Sequence, residues 1–178
     1  PITDYQLNVL KDLGQEMILV IENKRFLDSV KQKAETDSLT GLKTRRMLQE
    51  ILKDYHFSEF SLAFLDLDKF KMVNDKYGHA KGDEVLAKFG KCINLNIRRD
   101  DLAFRYGGDE AVIVIKTADR NKVEKVLTRI HDCFFKSTEL TFSSGVAIYP
   151  KEGDTQKVLK LADKRCYKSK STNKIEFD

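Results

Sequence analysis

The spacing of apolar residues predicts one long helix at the start of the chain, over residues 3 to about 35. The stripe has eight positions at alternating three- and four-residue intervals, of which Lys24 and Lys31 fill two and the apolar residues are Leu10, Leu13, Met17, Val20, Leu27 and Ala34. A stripe this narrow does not build a core by itself, so the helix needs a partner. Parallel pairing with a second copy is the preferred interpretation. Packing on its own domain, or on one outside this chain, is the alternative.

The first predicted strand covers residues 60–67, a mostly apolar run that we expect to be buried on both faces of a sheet. The run ends in Asp66, Leu67 and Asp68. A carboxylate at the end of a buried strand is costly unless it is paired or bound to a metal, and hard oxygen ligands there suit Mg²⁺. Capping of the following helix is the structural alternative, and it suits Asp68 better than Asp66.

A hairpin is predicted over residues 105–110, where two glycines and two acids separate apolar runs at 102–104 and 111–115. The paired glycines indicate a tight turn, because glycine reaches positive φ without steric cost. The acids at the turn exit, Asp109 and Glu110, then lie on rigid backbone at the rim of the sheet. A solvated turn with acidic decoration is the alternative interpretation of this stretch.

Three carboxylates converge at one rim if the hairpin lies beside the first strand, namely those of Asp66, Asp109 and Glu110. Uncompensated anions would repel one another there, and a divalent metal is the simplest resolution. Metal-bridged carboxylates beside basic residues indicate phosphoryl or nucleotidyl transfer. The lysines that would neutralise a triphosphate are Lys71, Lys170 and Lys174, although any single lysine is more often just solvated.

The remaining pattern alternates helices and strands. Helices are predicted over residues 45–52, 70–77, 82–97, 122–135 and from 154 or 155 onward, with a further strand over 141–149. Asp37 or Thr40 is the candidate cap of the first of these helices, and Asp83 of the third. From residue 60 onward the order β-α-α-β-β-α-β-α indicates an α+β fold, in which helices flank a mostly antiparallel sheet.

Composition and charge narrow the class of protein. With 41% hydrophobic and 34% charged residues the chain is that of a soluble globular protein, and no apolar run approaches the ~18 residues of a membrane span. The net charge of +4 suits a phosphate-bearing ligand, although a solvated surface is the commoner cause. Cys92, Cys133 and Cys166 are odd in number and lack CxxC spacing, so we expect reduced thiols in a cytoplasmic protein.

Six short segments follow one another in a fixed order between residues 37 and about 175. They are residues 37–42 with 45–46, 66–71 with 74–75, 77–79 with 82–83, 105–110, 144–147, and 162–163 with Tyr167 and Lys170. In order and spacing they resemble the GGDEF domain family, the diguanylate cyclases. The resemblance implies a signalling and coiled-coil helix at residues 1–36 and a GGDEF domain at residues 37–178, with a palm-like fold.

The activity that the resemblance implies is the condensation of two GTP molecules into cyclic di-GMP, with release of two pyrophosphates. Each subunit of a homodimer holds one GTP, and each 3′-hydroxyl attacks the α-phosphate held by the opposite subunit. A monomer cannot close the ring, so the N-terminal helix is expected to set the geometry of the dimer. Residues 18–23 also resemble the exit helix of a GAF-type sensor, which implies a sensor domain upstream.

The resemblance also implies a role for each matching position. Metal, as Mg²⁺ or Mn²⁺, would be held by Asp66, Asp109, Glu110 and the Leu67 carbonyl. Catalysis is assigned to Asp109, Lys71 and Glu110, which would assist deprotonation of the hydroxyl. Substrate contacts fall at Phe70, Asn74, Asp83, Gly107, Gly108, Lys170 and Lys174, with Asn74 and Asp83 reading guanine. Arg98 and Asp101 match an RxxD site for inhibition by the product, and a surface salt bridge is their alternative.

Departures from the family pattern keep other functions open. Ala111 stands where the family has phenylalanine, Thr44 replaces an asparagine, and residues 173–174 replace Gly-Arg. An active, product-inhibited cyclase is the first expectation, and an inactive receptor for GTP or cyclic di-GMP is the alternative. A nucleic-acid-binding module is disfavoured, because the chain lacks an aromatic stacking platform and its acids would repel phosphate. Neither nucleic acid nor membrane is expected as a partner.

Overall fold

A computed structural model describes residues 4–33, 35–53, 59–172 and 175–178 of the chain. The chain divides into two compact units, residues 1–34 and 35–178. Helix α1 (Asp4–Lys33) makes up the first unit, and its Leu13, Met17 and Val20 side chains are 52–66% exposed. The other predicted stripe positions, Leu10, Leu27 and Ala34, have side chains outside the described set. None of the described helices is long and apolar enough to cross a bilayer.

The second unit is built on one five-stranded sheet in the order β1-β3-β4-β2-β5. Its strands are β1 (Lys43–Thr44), β2 (Phe60–Leu67), β3 (Leu102–Arg105), β4 (Glu110–Ile115) and β5 (Phe142–Tyr149). Every neighbouring pair is antiparallel except β1 with β3. This confirms the predicted mostly antiparallel sheet. Strand β1 was not predicted, because two residues are too short to carry a periodic pattern.

The described residues of the second unit also form five helices, in the predicted order. They are α2 (Arg45–Lys53), α3 (Phe70–Tyr77), α4 (His79–Asn96), α5 (Arg120–Thr138) and α6 (Thr155–Thr172). Helix α4 begins at His79, so the prediction that Asp83 caps it is wrong: Asp83 lies inside the helix. The helix cap proposed at Asp37 or Thr40 is also wrong, because the Asp37 carboxylate instead accepts hydrogen bonds from the Thr40 amide and hydroxyl.

The sheet is buried on both faces, as the apolar run of β2 predicted. Ala63 and Leu65 point into one core with side chains from α3, α4 and α5, and Leu62 and Phe64 point into a second core with α2 and α6. Gly145 lets α6 lie directly on β5, because a side chain there would collide with the backbone of α6. The two cores therefore hold α3 and α4 on one face of β2, and α6 on the other.

The outer edge of β5 is covered by the C-terminal residues. The Glu176 amide donates to the Ser144 carbonyl at 3.1 Å, and the Val146 amide donates to the Glu176 carbonyl at 2.8 Å. Residue 176 thereby forms a parallel bridge to Gly145. These bonds satisfy backbone groups that an edge strand would otherwise leave open.

Two of the three cysteines are paired. Cys92 on α4 and Cys133 on α5 form a disulfide, with Cα atoms 5.7 Å apart, so the expectation of reduced thiols is wrong for this pair. The partners are 41 residues apart and meet because α4 packs against α5, which no sequence spacing signals. Cys166 is a free, buried thiol, and burial raises its pKa to about 12.

Candidate active site

The ends of β2 and β4 bring the predicted acids together at one rim of the sheet. The antiparallel register pairs Asp66 with Glu110, and the Leu67 amide donates to the Asp109 carbonyl at 3.2 Å. Asp66 is the one residue of β2 that is not fully buried. Strand β2, the start of β4 and the turn before it therefore present three carboxylates at the same end of the sheet.

The carboxylates at this rim hold more negative charge than the nearby lysine neutralises. Lys170 Nζ lies 2.9 Å from Asp66 Oδ1. Burial raises the pKa of Asp66, and Asp109 and Asp68 raise it further, so that the attraction of Lys170 is outweighed. Burial and the neighbouring acids Asp66, Asp109 and Asp163 likewise raise the pKa of Glu110. Additional positive charge at the rim would therefore stabilise the ionised carboxylates.

The residues at the rim fit a hard cation, because their donors are carboxylate oxygens and they already attract an ammonium group. In the described part of the chain, no group of three histidine, cysteine or acidic side chains is arranged so that it could hold a metal ion. The Lys170 ammonium instead lies against Asp66, where a cation would bind. Lys170 thus neutralises part of the charge that a metal ion would neutralise.

The glycine turn has a steric reason. A side chain at Gly107 would collide with the Glu110 carboxylate, whereas the space around Gly108 is open. The amides of Tyr106 and Gly107 donate to the Glu110 carbonyl at 2.9 and 3.3 Å, which closes the turn. Arg105 donates from Nε to the Gly107 carbonyl and from Nη2 to the Gly108 carbonyl. The turn is thus held from inside by a side chain whose role the sequence did not reveal.

A second cluster lies where α3 meets α4. A side chain at Gly82 would collide with Asn74 Oδ1 and would approach the Phe70 ring at 3.2 Å. Asn74 Oδ1 is buried and has no hydrogen-bond partner in the described structure. Asp83 follows Gly82 and is exposed. A buried acceptor without a partner is unfavourable, so Asn74 Oδ1 is suited to accept from a ligand that donates hydrogen bonds.

The remaining predicted positions differ in their surroundings. Lys71 is exposed on the first turn of α3, and Lys174 lies outside the described residues.

The idea that Asp68 caps a helix is wrong, because its carboxylate accepts from the hydroxyls of Thr141 and Ser143, both at 2.7 Å. Asp68 therefore joins the end of β2 to the start of β5 and helps to fix the rim.

The RxxD pair is divided between surface and interior. Asp101 is 7% exposed, and its carboxylate accepts from the amides of Arg98 and Lys116, both at 3.0 Å. Arg98 is exposed. The surface salt bridge considered for this pair is absent from the described structure, where the two residues meet through the Arg98 backbone instead. Asp101 thus shapes the loop, and Arg98 is free to meet a ligand from solvent.

The fold is a palm-like α+β domain, because a mostly antiparallel sheet has helices on both faces. Acids gather at the rim of this sheet beside a Gly-Gly turn. Within this class the chain belongs to the GGDEF domain family. The family model described as diguanylate cyclase, GGDEF domain, matches residues 34–175. Ala111, the departure within the family motif, is 1% exposed and packs in the core that contains α3, α4 and α5.

Relatives of known identity agree with this assignment. Diguanylate cyclase DosC of Escherichia coli is 31% identical over 90% of this chain, which spans 38% of the DosC sequence. The structure of diguanylate cyclase SiaD from Pseudomonas aeruginosa, in complex with its activator SiaC, has a TM-score of 0.70 at 30% identity and covers 94% of this chain and 70% of its own. The GGDEF domain of DgcB from Caulobacter crescentus, in complex with c-di-GMP, has a TM-score of 0.66 at 28% identity, covering 81% of this chain and 94% of its own.

Proposed function

We propose that the chain is a diguanylate cyclase domain, which condenses two GTP molecules into cyclic di-GMP and releases two pyrophosphates. The observation that carries this proposal is the convergence of Asp66, Asp109 and Glu110 at one rim. The curated relatives named as diguanylate cyclases support it. Because the chain spans less than two thirds of their length, the activity is proposed for the domain and not for a whole protein.

The rim acids would hold the divalent metal, Mg²⁺ or Mn²⁺, through Asp66, Asp109, Glu110 and the Leu67 carbonyl. When bound, such an ion polarises a phosphate and lowers the pKa of a nearby hydroxyl. Glu110 would accept the proton of the attacking 3′-hydroxyl. Lys170 would move from Asp66 to the phosphates, joined there by Lys71 and Lys174.

The pocket between α3 and α4 would select guanine. Asn74 Oδ1 is a buried acceptor, and a purine N–H would satisfy it. Asp83 would accept from the guanine N1–H and amino group, which adenine does not offer. Gly82 leaves the space that the Asn74 side chain occupies, since any side chain there would meet Asn74 Oδ1. Phe70 would flank the base, and Gly107 and Gly108 would let the phosphates approach the turn.

Regulation would act through the parts outside this pocket. We propose that residues 1–36 form the signalling helix, which pairs with that of a second copy and receives the state of an upstream sensor. Exposed Leu13, Met17 and Val20 would form part of that contact. Cyclic di-GMP would inhibit by binding Arg98 beside Asp101. Use of GTP would place the domain in the cytoplasm.

A receptor that binds GTP or cyclic di-GMP without turnover is the second candidate. It is favoured by the Lys170–Asp66 ion pair, which occupies the position where a metal would bind. The same pocket for guanine would serve either function, so binding alone does not separate them. Turnover does.

The test is incubation of the chain with GTP and Mg²⁺, followed by chromatography of the nucleotides. Cyclic di-GMP should form, and Glu110→Gln should abolish its formation while GTP binding persists. Glu124→Gln, an exposed acid on α5, is the matched control and should behave as the unaltered chain. Binding without product would favour the receptor. Failure to bind any guanine nucleotide would contradict both candidates.

A further inference from the structure

The Cys92–Cys133 disulfide has no role in the proposed function, and it is unusual for the compartment in which that function would act. Glutathione and thioredoxin-type proteins keep most cytoplasmic thiols reduced, and the disulfides found there are mostly transient bonds with a catalytic or redox-sensing role. A bond between α4 and α5 in that compartment is therefore expected to open and close.

The disulfide belongs to a row of contacts that joins the second half of α4 to α5. The other members of the row join Lys88 Nζ to the Ser137 carbonyl at 3.2 Å, the Phe89 ring to the Phe134 ring at 5.1 Å between centroids, and Arg129 Nη2 to the Asn96 carbonyl at 3.0 Å. These three contacts are noncovalent. The disulfide is therefore the member of the row that holds the two helices together most firmly.

The end of α4 leads directly into the proposed product site. Asn96 is the last residue of α4, and its side-chain amide donates to the Cys92 carbonyl at 2.8 Å. Arg98 follows two positions later, and its backbone amide donates to the Asp101 carboxylate at 3.0 Å. The disulfide thus lies about one helical turn before the loop that carries Arg98, and it fixes the start of that loop against α5.

The proposed guanine pocket lies at the other end of α4. Gly82, which adjoins Asn74, precedes Cys92 by ten positions, or about 15 Å along the helix axis. The pocket is formed with α3, whereas the disulfide joins α4 to α5. Opening of the disulfide should therefore change the binding of cyclic di-GMP at Arg98 more than the binding of GTP.

The bond can be reached from solvent at Cys133, which is partly exposed, whereas Cys92 is buried. A reductant thiolate attacks the Cys133 sulfur, the bond to Cys92 breaks, and Cys92 leaves as a thiolate that takes up a proton. A second reductant thiolate then attacks the reductant sulfur of the mixed disulfide and releases Cys133. Two electrons pass to the protein pair and one reductant disulfide forms. Glutathione disulfide reverses these steps.

We propose that Cys92 and Cys133 are a reversible redox-modification site that sets the affinity of the RxxD site for cyclic di-GMP. In the disulfide form the end of α4 is held against α5, so the Arg98 loop is ordered before the product binds. In the dithiol form that ordering has to occur on binding, and the affinity is lower. Oxidation thereby strengthens product inhibition. This inference rests on the proposed function, to which it adds a chemical signal.

The first test measures by calorimetry how the full chain binds cyclic di-GMP and a non-hydrolysable GTP analogue, in the disulfide form and after reduction with a dithiol. The disulfide form should bind cyclic di-GMP about five- to ten-fold more tightly, and the affinity for the GTP analogue should change less than about two-fold. The double variant Cys92→Ser with Cys133→Ser should bind as the reduced chain does and should not respond to the dithiol.

A single substitution on α5 tests the same coupling without touching the cysteines. Arg129→Ala removes the neighbouring contact to Asn96 and should weaken binding of cyclic di-GMP to the disulfide form. Lys125→Ala, which changes an exposed residue of the same helix, is the matched control and should leave both affinities unchanged. Equal weakening by the two substitutions would mean that the end of α4 is not held through α5.

The second test uses the reciprocity of linked equilibria and needs no turnover. In a buffer with a fixed ratio of reduced to oxidised glutathione, saturating cyclic di-GMP should raise the ratio of disulfide to dithiol protein by the same five- to ten-fold, and the GTP analogue should not. Alkylation of the acid-quenched, unfolded chain and mass spectrometry of its peptides measure this ratio. Cys166, a free thiol, is labelled in both states and provides the reference.

Both tests separate this inference from the proposed function. A chain that makes no cyclic di-GMP from GTP but shows the two shifts would count against the proposed function alone. Equal affinities for cyclic di-GMP in the two redox states, no binding in either, or an equal change for the GTP analogue would overturn the inference. A disulfide that glutathione does not open in the folded chain, or a reduced chain that loses its helical circular dichroism, would do the same, because the bond would then be purely structural.

Discussion

Arg105 and Asp37 form an ion pair in which Arg105 Nη1 lies 3.1 Å from both carboxylate oxygens. The same guanidinium donates to the carbonyls of Gly107 and Gly108. Burial raises the pKa of Asp37, but hydrogen bonds from Thr40 and the charge of Arg105 outweigh it and hold that pKa below its usual value. One side chain thus joins the glycine turn to the segment that follows α1 in the sequence.

Breaking this pair should disturb the turn. In Asp37→Asn the charge is lost, and we expect the free energy of unfolding to fall by about 1–2 kcal/mol, as for a half-buried charge-assisted hydrogen bond. Turnover of GTP should fall several-fold, because the turn carries Asp109 and Glu110. Denaturant unfolding and the GTP assay measure the two effects. Lys122→Ala, which removes an exposed ion pair, should change neither, and an unaltered Asp37→Asn enzyme would contradict the coupling.

Arg98 and Asp101 should separate inhibition from stability. Arg98→Ala should relieve inhibition by cyclic di-GMP and leave the unfolding free energy within about 0.5 kcal/mol, because the side chain is exposed. Asp101→Ala should in addition lower the unfolding free energy by about 2 kcal/mol, since it leaves two backbone amides without their acceptor. Inhibition curves with cyclic di-GMP measure the first effect, and urea unfolding measures the change in the unfolding free energy. Unchanged inhibition in Arg98→Ala would mean that the product binds elsewhere.

Glu152 should make the stability of the domain depend on pH. Burial raises its pKa, but the hydrogen bonds from Arg165 and the Ile148 amide outweigh this and hold the pKa below the ordinary 4.5. A folded pKa below the unfolded one stabilises the protein above about pH 4.5, and the contribution is lost as the pH falls through the folded value. Glu152→Gln should therefore be less stable than the wild type at pH 7 by roughly 1–3 kcal/mol, and the difference should shrink below about pH 4.

The measurement is the free energy of unfolding of both proteins between about pH 3 and pH 7. Asp100→Asn, which changes an exposed acid, is the control, and its difference from wild type should stay small throughout. A Glu152→Gln deficit that is the same at both ends of the range would show that the ion pair with Arg165 is not its cause.

Reduction of the Cys92–Cys133 disulfide should lower stability. The bond joins residues separated by 41 positions, and closing a loop of that size accounts for up to about 4 kcal/mol in the chain-entropy description. Unfolding with and without a dithiol reductant measures the loss. The double variant Cys92→Ser with Cys133→Ser should be insensitive to the reductant. A wild-type chain whose stability is equally insensitive, although its thiols become reactive, would contradict the prediction.

The sequence predicts those parts of the structure that depend on local periodicity. The apolar run of β2, the glycine turn and the amphipathic helices follow from the spacing of their residues, and the order of elements from β2 to α6 agrees with the structure. The proximity of Asp66 and Glu110 was expected on the condition that two strands are neighbours, which the register supplies. Periodicity and turn chemistry therefore predict most of the helices and strands in a domain of this kind.

The features that the sequence missed are contacts between distant residues. Arg105 looked like an ordinary residue before a turn, and its bonds to Asp37 depend on the packing of segments 68 positions apart. Capping was the structural alternative for Asp68 and Asp83, because it is the commonest local use of an aspartate, whereas tertiary hydrogen bonds hold Asp68 and α4 starts earlier. The disulfide was missed for the same reason, since no spacing relates its cysteines.

The bond pair between Glu176 and β5 has a consequence for how molecules behave in a crowded solution. A bare edge strand invites the strand of another molecule to add to it, and repeated addition leads to fibres. Here the amide of Val146 and the carbonyl of Ser144 are already engaged by the protein's own C-terminal segment. An approaching strand would first have to displace residue 176, so the segment protects the sheet against open-ended growth.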